Sequence, residues 1–116
     1  RPLMGRAATA NADLAVITSD NPRSEDPLEI IAEITPGAER GAEEGGGGFV
    51  VEPDRRAAIR LAMEEASPGD VVVVAGKGHE TYQELADRRI PFDDRAVAED
   101  ELRSIGKAAR PLEAAP

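Results

Sequence analysis

Residues 70–75 read DVVVVA, and this run constrains the fold more than any other stretch. Four β-branched side chains in succession disfavour a helix, because each loses χ1 freedom against the preceding turn. In a strand, successive side chains point to opposite faces. A run with no polar residue at alternate positions therefore predicts a strand buried on both faces, as in the centre of a parallel sheet. Pro68-Gly69 precedes it as a turn, and the loop GKGHE (76–80) follows without a break.

Strand and helix patterns alternate through the rest of the chain. Residues 2–11 are Ala-rich and predict a helix, with Pro2 in its first turn. Residues 13–18 (DLAVIT) predict a buried strand. Pro27 then opens a second helix, in which Leu28, Ile31, Ala32 and Thr35 form one apolar stripe. Pro36-Gly37 is expected to end it. Residues 37–48 (GAERGAEEGGGG) are low in complexity, and four consecutive glycines are costly to hold in a regular element. A surface loop is expected there. Residues 49–51 predict a strand, and 53–66 a helix with Ile59, Ala62, Met63 and Ala66 on one face. A short edge strand is expected near RIPF (89–92). Asp93 or Asp94 then caps a last helix with Ala98, Leu102, Ile105 and Ala109 as its stripe. Residues 111–116 are expected to fray.

This alternation predicts an α/β domain, a three-layer αβα Rossmann-like arrangement around a mostly parallel sheet. Ligands of such sheets bind at the carboxyl ends of the strands. Two loops leave strands at that edge: TSDNPRSED (18–26) and GKGHE. The connections should bring both to the same side.

Composition narrows the partners. The 116 residues suit one domain, and with 41% hydrophobic but 3% aromatic residues the core must be aliphatic. A net charge of −9 argues against nucleic acid, whose phosphates need a basic face. The lack of cysteine excludes disulfides and thiolate metal sites, and fits a reducing cytoplasm. No apolar run approaches the roughly 18 residues of a membrane span.

In the first loop, Pro22 restricts both itself and Asn21, stiffening the turn. Arg23 carries a planar fork suited to a carboxylate. Two readings stand. The set grips the carboxylate of a small zwitterion, or it is a helix-entry turn in which Arg23 pairs with Glu25 or Asp26. In the second loop, Gly76 and Gly78 allow close backbone approach, and Glu80 can accept from an ammonium. Lys77 and His79 are expected near solvent. The spacing is not that of a Walker A loop, and a single histidine rules out a His-rich metal site.

Taken together the loops resemble one family. RPLM (1–4), TSDNPRSEDP (18–27), DRRAAI (54–59), GDVVVVAGKGHETYQ (69–83) and FDDR (92–95) are similar, in order, to the C-terminal domain of the Mur ligases, in their diaminopimelate-adding branch. The resemblance implies an ATP-dependent acid–amino-acid ligase that uses Mg²⁺. It would join meso-diaminopimelate to UDP-N-acetylmuramoyl-L-alanyl-D-glutamate through an acyl phosphate. It also implies that Asp20, Asn21, Pro22 and Arg23 form the recognition motif, and that Gly76 and Glu80 complete the pocket, with Glu80 facing a substrate ammonium. Arg23 would pair with the carboxylate that diaminopimelate has and lysine lacks. Asp93 and Arg95 are assigned to capping and packing. No catalytic or metal-binding residue is expected in this chain. The P-loop, the Mg²⁺ ligands and the UDP site are expected in central and N-terminal domains of the same protein. The family's domain starts before Arg1, so the sheet is expected to lack its first strand. The rival readings are a ligase that adds L-lysine or another diamino acid, a non-catalytic zwitterion-binding module, and a purely structural α/β domain that binds no amino acid.

Overall fold

A computed structural model describes residues 2–21, 25–77 and 80–108. Pro22, Arg23, Gly78, His79, Ala109 and the tail 111–116 lie outside the described residues. Eight elements follow in order: α1 (Pro2–Asn11), β1 (Leu14–Ile17), α2 (Pro27–Glu43), β2 (Gly48–Val51), α3 (Arg55–Glu65), β3 (Tyr82–Glu84), β4 (Arg89–Pro91) and α4 (Asp94–Ser104). The class is α/β, as expected. β1 and β2 pair in parallel, Leu14 opposite Gly48 through Ile17 opposite Val51, with α2 as the crossover. β3 and β4 form an antiparallel hairpin, so the expected edge strand near RIPF finds its partner in residues 82–84.

The stripe expected on α2 is only partly found: Ile31 is buried, Leu28 is 58% exposed and Ala32 is exposed. Two larger expectations, of element bounds, also fail. The first is the end of α2 at Pro36 and the loop over 37–48. The helix runs through Pro36 to Glu43, and only 44–47 separate it from β2. A proline inside a helix costs about 3 kcal/mol. The small residues beyond it supply the offset by packing tightly on α1. Gly37, Ala38 and Gly41 are buried. Thr9 of α1 is fully buried at the crossing. Its hydroxyl faces the carbonyl oxygens of Ala38 (2.8 Å) across the seam and of Gly5 (3.0 Å) one turn back. A Cβ at Gly41 would overlap Thr9 Oγ1 and the Arg6 carbonyl oxygen. Cβ atoms at Gly46 and Gly47 would overlap the carbonyl oxygens of Thr9 and Asp13. These glycines permit close contact rather than mobility.

Gly41→Ala is therefore expected to destabilise the chain by about 1–3 kcal/mol, although alanine is the better helix former. Gly48→Ala, which meets nothing within 4 Å, is the near-neutral control. Urea midpoints of the two variants give the comparison, and equal midpoints would refute the close-packing account.

The second failure is the valine run. Residues 71–75 form no strand, since no ladder partner flanks them among the described residues. Val72 packs on the cluster of Ile59, Met63 and Val97. Val71 and Val73 are 62% and 79% exposed. Val74 is 37% exposed as well, so Val72 alone in the run is partly buried.

Two apolar clusters hold the described elements. Ile17, Ile31 and Ala38 join β1 to α2, with Ile34 and Phe49 against them. Ile59, Met63 and Val97 join α3 to α4, with Leu102 and Ile105 against them. Asp54 caps α3 and Asp93 caps α4, each accepting from first-turn backbone N–H groups. Lys107 closes the other end of α3, its Nζ donating to the carbonyls of Met63, Glu64 and Ala66 at 2.9, 3.1 and 2.9 Å.

Candidate functional site

The loop after β1 and the loop after the valine run meet. Ile17 and Ala15 are buried in β1, which seats the following Ser19, Asp20 and Asn21 at its carboxyl end. Asn21 Nδ2 donates to Glu80 Oε2 at 3.3 Å. Asn21 Oδ1 accepts from the Glu84 backbone N–H at 2.8 Å and from Lys77 Nζ at 3.4 Å. Asp20 Oδ1 pairs with Lys77 Nζ at 2.9 Å. Lys77 is thus buried, not near solvent as expected, because acidic and amide partners from the facing loop surround its ammonium. Gly76 has φ of +116°, a conformation open to glycine and strained for other residues. A Cβ there would sit 3.8 Å from Asp20 Oδ2, an ordinary contact, so the backbone and not space demands glycine.

Arg55 joins the bases of both loops. Its side chain is 4% exposed. Nε and Nη2 form a fork on Asp94 Oδ1 (2.8 Å) and Oδ2 (2.6 Å). Nη1 donates to the Ser19 carbonyl at 3.1 Å, and Nη2 to the Ala75 carbonyl at 3.2 Å. Ser19 Oγ donates to the Pro53 carbonyl at 2.7 Å and accepts from buried Gln83 Nε2 at 3.3 Å. Sequence reasoning missed Arg55, Asp94, Ser19, Gln83 and the true place of Lys77. A signal existed for the first two, since DRRAAI and FDDR stand out together as motif stretches. An open cleft of about 410 Å³ adjoins this wiring, lined by Ser19, Arg55, Gln83 and Phe92 among others, but not by Asp20, Asn21, Lys77 or Glu80.

Of the expected site residues, Asp20, Asn21, Gly76 and Glu80 come together, while Pro22 and Arg23 lie outside the described residues. Among the described residues no three carboxylates or imidazoles converge as metal ligands. No described helix is long and apolar enough to cross a membrane.

The family model described as "Mur ligase, glutamate ligase domain" matches residues 1–78. The chain belongs to the Mur ligase family. It is 57% identical over 106 residues to the UDP-N-acetylmuramoyl-L-alanyl-D-glutamate–2,6-diaminopimelate ligase of Solibacter usitatus, covering 91% of this chain and 21% of that protein. It is also 57% identical over 98 residues to the ligase of the same name from Geobacillus thermodenitrificans, covering 84% and 19%. A solved Mur ligase structure, also titled as a UDP-N-acetylmuramoyl-L-alanyl-D-glutamate–2,6-diaminopimelate ligase, superposes with a TM-score of 0.78 at 41% identity, covering 93% of this chain and 21% of that one. The chain therefore has the Rossmann-like α/β fold of the Mur ligase C-terminal domain. It spans about one fifth of the length of the Mur ligases it matches.

Proposed function

We propose that this chain is the amino-acid-recognising C-terminal part of an ATP-dependent, cytoplasmic ligase of peptidoglycan synthesis. In this reading the enzyme adds meso-diaminopimelate to UDP-N-acetylmuramoyl-L-alanyl-D-glutamate. The observation that carries the reading is the wiring of the two motif loops: Asn21 bonds Glu80, and Asp20 pairs with Lys77, between loops that are distant in sequence. Such a site presents fixed charges to a small zwitterion. Glu80 receives an ammonium, and Arg23, two residues beyond Asn21, receives the distal carboxylate by a planar fork. The chain's part is to hold the amino acid by its charged ends and orient the attacking amine. Pre-set loops reduce the ordering cost of binding.

ATP and Mg²⁺ belong to the complete ligase in this reading. The described residues offer no metal ligand set, and the sequence has no phosphate-cradling Walker A loop, so no step through either is assigned to this chain. Both are placed with central and N-terminal domains of the same protein, which also receive the UDP-muramoyl dipeptide.

ADP release by the full-length protein tests the reading, with the UDP-muramoyl dipeptide and either meso-diaminopimelate or L-lysine. Release with diaminopimelate alone is the expected result. Release with lysine would overturn the assigned substrate while keeping the ligase. Release with neither would leave a zwitterion-binding module in place of an enzyme.

A further inference from the structure

We infer that Lys77 is a positioning residue for amino-acid recognition, setting the orientation of Asn21 and, through it, of Glu80. The inference rests on the functional reading above. The Lys77 side chain is 0% exposed. Lysine is almost never fully buried unless it is paired. Three oxygens surround its ammonium: the Tyr82 carbonyl at 2.5 Å and Asn21 Oδ1 at 3.4 Å accept hydrogen bonds from it, and Asp20 Oδ1 lies 2.9 Å away as an ion pair without hydrogen-bond geometry. The Phe92 ring centroid lies 5.9 Å from Nζ.

The consequence for Asn21 is directional. An ammonium and a backbone N–H can only donate. Lys77 Nζ and the Glu84 N–H therefore both require the oxygen end of the Asn21 amide. The NH₂ end is left to face Glu80, 3.3 Å away. Without the lysine, one of the two donors that choose this orientation is gone. The second consequence is electrostatic. Lys77 neutralises Asp20, so Glu80 remains the carboxylate of this cluster with no cationic partner among the described residues. A substrate ammonium is thereby directed to Glu80 rather than shared between two acids.

The test uses the full-length protein with Lys77→Met, which keeps the stem and removes the charge. Steady-state KM values are measured for meso-diaminopimelate, ATP and the UDP-muramoyl dipeptide, alongside the thermal midpoint. The expected result is a KM for diaminopimelate raised at least ten-fold, with the other two KM values within two-fold of wild type. Unchanged KM for diaminopimelate, or equal changes in all three, would overturn the inference. If Lys77→Met does not fold, Lys77→Arg carries the test. Its guanidinium keeps the charge but cannot place donors on both the Tyr82 and Asn21 oxygens from the same stem. A KM rise confined to diaminopimelate supports the inference, and wild-type KM overturns it. Wild-type protein that releases no ADP with diaminopimelate would sink the functional reading instead, which separates the two failures.

Discussion

Arg55→Ala is expected to lower the stability of the 116-residue chain by about 3–5 kcal/mol, the cost of removing one partner of a buried ion pair. Small domains have total stabilities of about 5–15 kcal/mol, so this one change removes a large share. The reason is the position of the guanidinium. It forks onto Asp94 and also holds the Ser19 and Ala75 carbonyls, which start the two motif loops. Alanine leaves Asp94, only 15% exposed, without its cation, and two carbonyls without donors. Urea unfolding measures the loss. The double variant Arg55→Met, Asp94→Leu removes both charges and is expected to recover a good part of it, because apolar replacements avoid the buried unpaired charge. A single variant with a wild-type midpoint would show that the pair contributes nothing net.

The second large effect is on substrate choice. Arg23→Ala in the full-length protein is expected to cut kcat/KM for meso-diaminopimelate by about 30-fold to several thousand-fold, the equivalent of about 2–5 kcal/mol for an unpaired buried charge. Use of L-lysine should change little, since lysine has no distal carboxylate. Arg23 itself lies outside the described residues. The expectation rests on its place in DNPR, beside an Asn21 whose side chain is already committed to Glu80, Glu84 and Lys77. With Asn21 so engaged, the arginine is the group of the motif with a planar fork to give a substrate carboxylate. Equal losses for both amino acids would remove Arg23 from selectivity and leave it a structural role.

Much of this was legible in the sequence where one residue decides one feature. Pro53-Asp54 and the pair Asp93-Asp94 mark helix starts, and Asp54 and Asp93 are the residues that cap them. The loops after β1 and after the valine run belong at one edge by topology, and they meet there. The errors came where tertiary contact overrides local preference. Pro36 reads as a stop, yet the helix continues because Gly41 and Ala38 fit against Thr9. No propensity scale contains that seam. The valines read as a strand buried on both faces, but a strand exists only with a ladder partner, and the described chain supplies none. Lys77 reads as a solvent lysine. Its burial depends on Asp20, Asn21 and the Tyr82 carbonyl, which local pattern does not bring together.

The largely exposed valine run also bears on how this domain behaves outside its fold. Residues 71–75 carry no charge and no proline, and their β propensity is high, the combination that seeds intermolecular sheets. Asp70 and Lys77 flank the run, an acid and a base where gatekeeper residues stand in other sequences. In the folded chain Lys77 is drawn inward onto Asp20 and cannot serve in that capacity, leaving Asp70 as the exposed guard beside Val71 and Val73. Concentrated preparations of the domain alone therefore carry a colloidal liability along this run, and threonine at positions 71 and 73 would reduce it without touching Val72, which packs against Ile59, Met63 and Val97.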